Sequence, residues 1–218
     1  MKITWIGHSA LKLEGSKTVF IDPFLSGNPV ASMGLAHVTR ADVVVVTHDH
    51  GDHLGDAHAI CKKTGATLVS IHEIAEAAAK EGVKAEGMNV GGTVTVAGVA
   101  VSLVPAIHTA GLGGTATGTV VEIDGKKVYH AGDTGLTMEM QLIGEMYQPD
   151  IGFLPIDGRF NMSSRLAAKG VELLKIPKVV PFHYGTFPLV QSSPEEFKRL
   201  VGDKSEVIII KPGESVEL

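Results

Sequence analysis

The chain has 218 residues, of which 44% are hydrophobic and 20% are charged, and this composition excludes an intrinsically disordered protein. The single cysteine, Cys61, excludes a small disulfide scaffold, and the net charge of -5 argues against nucleic acid or a polybasic membrane contact as the main partner. Because no apolar run approaches the ~20 residues of a membrane span, we expect a cytoplasmic protein that folds as one domain over residues 1–218.

The first 80 residues are predicted to alternate strands and loops before two helices appear. In chain order, the predicted elements are strands at residues 2–6, 10–14 and 18–22, a loop at 24–39, a strand at 41–47, a loop at 48–55, a helix at 56–64, a strand at 67–71 and a helix at 72–80. Four consecutive valines in residues 41–47 are typical of a strand buried on both faces, as in the middle of a layered α/β fold.

The second half of the chain repeats this order of strands first and mixed elements afterwards. Its predicted elements are strands at 93–97, 99–105, 117–123 and 126–130, a helix at 137–146, a strand at 151–155, a helix at 163–174, a strand at 178–182, a helix at 194–201 and a strand at 207–210. Asp124 and Gly125 are expected to form a hairpin turn, and Ser163 or Ser164 to cap a helix. Two such halves predict an α/β fold of the four-layer αββα sandwich type, with two sheets face to face and helices outside.

The loop after the valine strand matches the pattern H-x-H-x-D-H, with His48, His50, Asp52 and His53 at its named positions. His48 and His50 lie two residues apart, so both imidazoles can project to one side of extended backbone. Gly51 is expected to permit a sharp turn that brings Asp52 and His53 towards the same cavity. Imidazole nitrogens with one carboxylate suit a borderline divalent ion such as Zn(II), Mn(II) or Fe(II).

Three further polar residues each follow a predicted hydrophobic strand: His108, Asp133 and His183. A layered α/β fold assembles its sites at strand ends, so these residues are candidates to complete a binuclear metal centre. Cys61 lies inside a predicted amphipathic helix and is expected to be a core residue.

These motifs, in this order, resemble the metallo-β-lactamase superfamily, and the wider chain resembles a branch of uncharacterised metal-dependent hydrolases related to ascorbate-phosphate lactonase. The segments that carry the resemblance are residues 5–9, 21–24, 47–55, 129–135 and 183–188. The superfamily hydrolyses lactams, thioesters, lactones and phosphodiesters alike, so the resemblance implies a fold and a metal but leaves the substrate open. The chain also reads Asn161-Met162-Ser163 where the branch has Thr-Met followed by an acidic stretch.

The resemblance implies two metal ions. It assigns the first to His48, His50 and His108 and the second to Asp52, His53 and His183, with Asp133 bridging both. Zn(II) is the expected ion, and Mn(II), Fe(II) and Ni(II) are alternatives. Two cations lower the pKa of a shared water from about 15.7 towards ~7, and the resulting hydroxide attacks a carbonyl or phosphoryl centre. We therefore predict a binuclear metal-dependent hydrolase of a small ester, lactone or phosphoester.

Other roles are predicted for residues around the ligands. Asp52 and Asp133 are expected to act in catalysis as ligands. His8 lies in a Gly-His-Ser segment that is beside the metals in the resembling branch, and it is expected to bind substrate or donate a proton, with a structural role as the alternative. Asp22 is a candidate to orient a ligand imidazole, and Arg159 to pair with a substrate carboxylate or phosphate. The loop at 111–114 is expected to form a lid or to let substrate approach the backbone.

Two alternatives to this function stay open. A phosphodiesterase or ribonuclease of the same superfamily is also compatible with Gly132-Asp133-Thr134, although the net charge of -5 and the lack of a basic stripe argue against it. A noncatalytic metal-binding scaffold protein is the other alternative. The expected partner is a small-molecule substrate, without nucleic acid or membrane, and a homo-oligomer is compatible with the base rate for soluble enzymes.

Overall fold

Two seven-stranded β-sheets form the centre of the computed structural model, which describes residues 1–111 and 114–218. The strands of the first sheet are β1 (Lys2–Gly7), β2 (Ala10–Glu14), β3 (Thr18–Ile21), β4 (Val43–Val45), β5 (Thr67–Ile71), β6 (Ala85–Met88) and β14 (Ser215–Glu217). The strands of the second sheet are β7 (Thr93–Val96), β8 (Val99–Pro105), β9 (Thr117–Ile123), β10 (Lys126–His130), β11 (Ile151–Pro155), β12 (Lys178–Phe182) and β13 (Glu206–Val207). The helices are α1 (Gly51–Leu54), α2 (Ala57–Thr64), α3 (His72–Lys80), α4 (Glu139–Tyr147), α5 (Ser164–Leu174) and α6 (Pro194–Val201), with 3₁₀ turns at Leu35–His37 and Gly202–Lys204.

Each sheet combines antiparallel strands with a run of parallel ones. The first has the order β14-β1-β2-β3-β4-β5-β6 and becomes parallel from β3 onwards. The second has the order β13-β12-β11-β10-β9-β8-β7, and its parallel strands run from β10 to β13. Because parallel strands end at the same edge of a sheet, the loops that follow them lie close together there.

Three apolar cores separate four layers of structure. A central core joins strands of both sheets, and the two outer cores pack α2 and α3 on the first sheet and α4, α5 and α6 on the second. Burial on both faces of β4 explains the run of valines there, since Val43 and Val45 are buried in the central core and Val44 is buried in an outer one. Full burial of each such side chain contributes about 1.5–3 kcal/mol. The predicted fold of two packed sheets with helices is confirmed.

Some predicted elements are wrong in detail. The predicted loop at 48–55 contains helix α1, which is one turn long and too short to give a periodic pattern. Strands β6 and β14 were missed, because β6 reads Ala-Glu-Gly-Met without a β-branched residue and β14 pairs with β1 from the opposite end of the chain. The strand predicted at 207–210 is shorter, as β13 ends at Val207.

The predicted turn and cap residues behave as expected. Asp124 and Gly125 both have positive φ angles, 54° and 73°, as a tight hairpin between β9 and β10 requires. Ser163 Oγ accepts the N–H of Leu166 and so caps α5. Within residues 1–111 and 114–218, none of the helices has the length and apolar character needed to cross a bilayer.

Cys61 lies within α2 on the face buried in an outer core, and burial raises the pKa of its thiol to about 12. At pH 8 the thiolate fraction is therefore about 10⁻⁴, and the nucleophile is scarce as well as inaccessible. We expect an aromatic disulfide reagent to leave the native protein unmodified at pH 8 and to titrate one thiol per chain in guanidinium chloride. Rapid labelling of the native protein would contradict the buried position of Cys61.

Candidate metal centre

Loops at the ends of several strands bring the predicted ligands to one edge of the sandwich. His48 comes three residues after the end of β4, Asp133 follows β10, and His183 directly follows β12. A cavity of about 380 Å³ opens at this edge and is lined by Thr109, Phe160 and five of the predicted ligands. A larger groove, of about 430 Å³, lies between the carboxyl ends of α4 and α5 and contains none of them.

Helix α1 turns the second half of the H-x-H-x-D-H motif back towards the cavity. His50 stands at the N-cap position, and Asp52 and His53 lie within the helix. Gly51 is its first residue, has no positive φ, and would accommodate a Cβ with nothing within 4 Å. The predicted sharp turn at Gly51 is therefore wrong, because ordinary helical backbone produces the reversal.

Three imidazoles form one side of the cluster. His48 Nε2 lies 3.0 Å from His50 Nδ1, and the ring centroid of His108 is 5.3 Å from that of each of the other two. One ligand atom from each residue lies within 4.8 Å of the other two. These are the three side chains predicted for the first metal ion.

The Asp133 carboxylate lies between the two sides of the cluster. Its Oδ2 is 3.5 Å from His108 Nε2, whereas its Oδ1 is 3.2 Å from His53 Nε2 and 3.3 Å from His183 Nε2. Asp52 Oδ2 lies 3.7 Å from the same nitrogen of His183. One carboxylate thus faces His108 with one oxygen and two other histidines with the second.

All seven predicted ligands belong to three groups whose ligand atoms lie within 4.8 Å of one another. The groups are His48, His50 and His108; His8, Asp52 and His183; and His48, His53 and Asp133. The second and third differ from the set that the resemblance implies for the second ion, because His8 stands beside Asp52 and His183 while His53 lies with Asp133.

Three buried atoms of this cluster have no hydrogen-bond partner: His53 Nε2, Asp133 Oδ1 and His183 Nε2. Asp133 Oδ1 lies 3.2 Å from His53 Nε2 and 3.3 Å from His183 Nε2, but neither contact has the geometry of a hydrogen bond. An unpaired buried polar atom costs about 1–3 kcal/mol. A cation bound among these atoms would satisfy all three, so the donor set fits a divalent metal ion.

Asp22 and Thr47 fix the outer nitrogens of two histidines. Thr47 Oγ1 donates its hydrogen to Asp22 Oδ2 at 2.6 Å, and it also lies 3.1 Å from His48 Nδ1. Because the hydroxyl has only one hydrogen to donate, it accepts the N–H of His48 Nδ1. Asp22 Oδ2 also accepts from His53 Nδ1 at 2.7 Å. Because Nδ1 donates in both bonds, Nε2 of each ring is the atom directed towards the cluster. The predicted role of Asp22 in orienting an imidazole has this geometric support.

Asp157 orients the ring of His183 in the same way, and this role was not predicted from the sequence. Its Oδ2 lies 3.1 Å from His183 Nδ1, which leaves Nε2 of that ring towards Asp133. Asp157 comes shortly after strand β11, so the strand-end rule that selected Asp133 applied to it as well.

Three residues of the centre adopt left-handed backbone conformations. His8, Asp22 and His183 have φ angles of 55°, 46° and 60°, and they are three of the seven non-glycine residues with positive φ among those that the structure describes. Such residues cost about 1–3 kcal/mol each and concentrate at functional sites, where the surrounding structure holds them.

Burial and neighbouring charges perturb the pKa values in the cluster. Burial lowers the pKa of His53, but Asp133 and Asp22 outweigh this effect and raise it well above its ordinary value. Burial and the neighbouring His53 lower the pKa of His48 to about 3. Opposite pKa shifts within one small cluster of side chains are typical of a functional site.

His8 connects the first sheet to Asp52. Burial lowers the pKa of His8 to about 4, so its ring is neutral at pH 7 and carries one N–H. His8 Nε2 lies 3.0 Å from Asp52 Oδ2, and a carboxylate only accepts, so Nε2 is the donor. Thr186 Oγ1 then donates to His8 Nδ1 at 2.9 Å.

Among the residues that the structure describes, Arg159 and the two ends of the predicted lid, Gly111 and Gly114, do not line the cavity. The exposed Arg159 places its guanidinium carbon 5.5 Å from the ring centroid of Phe160. Asp49 accepts the N–H of Gly111 at 2.5 Å, and the middle of the predicted lid, residues 112–113, lies outside the described residues. Residues 157–162 are predicted from the sequence to form a wall of the substrate site, and Phe160 is the member of this segment that lines the cavity.

Comparison with known proteins shows the family to which the chain belongs. A family model described as "Beta-lactamase superfamily domain" matches residues 17–184, most of the chain. The chain belongs to the metallo-β-lactamase superfamily. Its match includes the whole H-x-H-x-D-H motif as well as Asp133 and His183.

This superfamily member is similar over its full length to archaeal proteins named metal-dependent hydrolases. One from Methanopyrus kandleri is 52% identical over 230 residues, and one from Pyrococcus furiosus is 49% identical over 225 residues, with 100% of both chains covered in each case. The solved structure of a metallo hydrolase from Ignicoccus hospitalis matches with a TM-score of 0.93 and 41% identity, covering 99% of this chain and 97% of that one. These names and the His/Asp groups support hydrolase activity that uses a divalent metal; the link to ascorbate-phosphate lactonase stays a prediction.

Substitution of Asp22 in this superfamily member is expected to weaken metal binding without touching a ligand. Asp22→Ala removes the acceptor of His53 Nδ1 and of both donors of Thr47, and loss of such a partner typically costs 10–100-fold in metal affinity. Competition with a chromophoric chelator measures the dissociation constant. Asp42→Ala is the control, since Asp42 accepts the N–H of Thr18 and pairs with Arg40 instead. Equal affinity in Asp22→Ala and wild type would contradict the role of Asp22.

Proposed function

We propose that this protein is a binuclear metal-dependent hydrolase that cleaves a small ester, lactone or phosphoester. The observation that carries the proposal is the convergence of three buried, unpartnered ligand atoms, namely Asp133 Oδ1 and the Nε2 atoms of His53 and His183. Divalent cations bound there would supply Lewis acidity, which lowers the pKa of water and polarises the oxygen of the scissile group. The names of the relatives support the reaction class, and the substrate remains part of the proposal.

The proposed ligands divide into two sets that share one carboxylate. His48, His50 and His108 would hold the first ion, and Asp52, His53 and His183 the second, with Asp133 between them. The opposite directions of the two Asp133 oxygens support this bridging role. Zn(II) suits five imidazoles and two carboxylates best, and Mn(II), Fe(II) and Ni(II) are the alternatives to test.

The residues around the ligands hold them in place during the reaction. Asp22 and Asp157 keep the Nε2 atoms of His53 and His183 directed inwards. His8 is 1% exposed and donates to Asp52, which itself lines the cavity. His8 therefore acts through Asp52, and we assign it a positioning role.

The reaction consumes one water. In an ester or lactone, the water oxygen bonds to the acyl carbon, the acyl carbon–oxygen bond breaks, and a proton reaches the leaving oxygen. The products are a carboxylic acid and an alcohol, joined in one molecule when the substrate is a lactone.

Metal removal tests the proposed function. Purified protein is assayed with p-nitrophenyl acetate, a γ-lactone, bis(p-nitrophenyl) phosphate and an RNA oligonucleotide, then treated with a chelator and resupplied with Zn(II) or Mn(II). We expect hydrolysis of at least one substrate to disappear on chelation and to return with about two equivalents of metal. Undiminished hydrolysis by metal-free protein, or none with any substrate and metal, would contradict the proposal, and preferential cleavage of RNA would favour the ribonuclease alternative.

A further inference from the structure

Internal hydrogen bonds order the backbone of the loop at residues 157–163. Asp157 Oδ1 accepts the backbone N–H groups of Arg159 and Phe160 at 2.9 Å and 2.8 Å. The base is closed by the Gly158 N–H, which donates to the carbonyl of Met162 at 3.0 Å. One carboxylate therefore orders the backbone of the tip with one oxygen and faces His183 with the other.

This loop presents an exposed aromatic ring to the proposed active site. Phe160 is 53% exposed and lines the same cavity as His108, Asp133 and His183. Loop tips in water are normally polar, and an apolar side chain held there by several hydrogen bonds indicates a binding surface rather than a packing role. The fixed backbone places the ring without the ordering cost that a mobile loop would incur on binding.

The described part of the cavity lining offers no lysine or arginine side chain to a substrate. Arg159, in the same loop, has its guanidinium carbon 5.5 Å from the centroid of the Phe160 ring, within the range of a cation–π contact. The rest of the ring surface remains available to an apolar group in the cavity.

We propose that Phe160 is the specificity-determining residue and that it selects an ester or lactone with an apolar acyl group. This inference rests on the proposed function. The scissile carbonyl lies among the ligands, and the acyl chain packs on the ring. Small-molecule sites bind the ligand through apolar side chains, and a few polar groups fix its orientation. The cavity volume of about 380 Å³ accommodates a small ester or lactone.

Direct binding of two product-like carboxylates tests this inference without turnover. Isothermal titration of metal-loaded protein compares hexanoate with acetate in wild type, Phe160→Ala, Arg159→Ala and Leu142→Ala. Leu142 is the matched control, since it is 59% exposed on α4 and lines a different groove. We expect hexanoate to bind at least about tenfold more tightly than acetate in wild type, because four additional methylenes contact the ring. This ratio should fall to about threefold or less in Phe160→Ala and persist in Leu142→Ala and Arg159→Ala.

The outcomes separate this inference from the proposed function. Metal content is measured on the same samples, and full occupancy in Phe160→Ala shows that the variant is folded. With metal bound, equal affinity for the two carboxylates, no binding of either, or an unchanged ratio in Phe160→Ala would overturn the role of Phe160 alone. Loss of acetate binding in Arg159→Ala would instead make Arg159 the recognition residue. A wild type that takes up no metal would overturn the proposed function and this inference with it.

Discussion

Asp133→Asn is expected to reduce hydrolysis by more than about 100-fold. Removing an outer partner of a metal ligand costs 10–100-fold, and Asp133 is placed as a ligand shared by both ions. Its buried Oδ1 has no hydrogen-bond partner and faces His53 and His183, while Oδ2 faces His108. The amide removes the negative charge and turns an N–H₂ donor towards one of these nitrogens. Steady-state assays with the most active substrate of the metal-removal experiment measure the loss.

Asp150→Asn is the matched control for this substitution. Asp150 Oδ2 accepts the N–H of Lys127, and Asp150 lies outside the cavity lined by Asp133. We expect Asp150→Asn to retain wild-type activity within about twofold, because surface substitutions usually change little. Comparable activity in Asp133→Asn and Asp150→Asn would refute a central role for Asp133.

Gly132→Ala is expected to destabilise the protein by about 2–5 kcal/mol. Gly132 has a φ of 62°, a left-handed conformation that costs alanine about 1–2 kcal/mol. A Cβ there would also lie 2.4 Å from the carbonyl oxygen of Thr117 and 3.1 Å from the Cβ of Thr47, and overpacking adds about 1–3 kcal/mol. The collision displaces the segment that carries Asp133, so metal binding should weaken as well. Urea unfolding in the presence of a chelator isolates the effect on folding.

Gly65→Ala separates backbone strain from the collision. Gly65 has a φ of 77° at the carboxyl end of α2, and a Cβ there would meet nothing within 4 Å. We expect a loss of about 1–2 kcal/mol in Gly65→Ala and a clearly larger loss in Gly132→Ala. If the two variants lose the same free energy of unfolding, the close approach of Thr117 does not limit position 132.

The residues predicted as ligands could be found from the sequence because their signals are local. Four of them follow one strand in a fixed pattern, and each of the other three stands just beyond an apolar strand, so chain position alone selected them. The structure brings all seven into adjoining groups. How they would divide between the two proposed ions depends on distances across the sandwich, and there the structure has His8 grouped with Asp52 and His183 where His53 was expected.

Contacts between distant segments could not be predicted. Asp157 and His183 follow the neighbouring parallel strands β11 and β12, and Thr186 donates to His8 from a position 178 residues away. Nothing in the local pattern of either segment indicates its partner.

Metal content per chain is the most direct test of the binuclear centre. Protein purified without added metal is analysed by elemental mass spectrometry, together with His48→Ala and Asp133→Ala. We predict about two equivalents of divalent metal in wild type and one or fewer in each variant, because His48 belongs to one proposed site and Asp133 to both. Wild-type protein that holds no metal even after incubation with Zn(II) or Mn(II), or variants that retain two equivalents, would contradict the account.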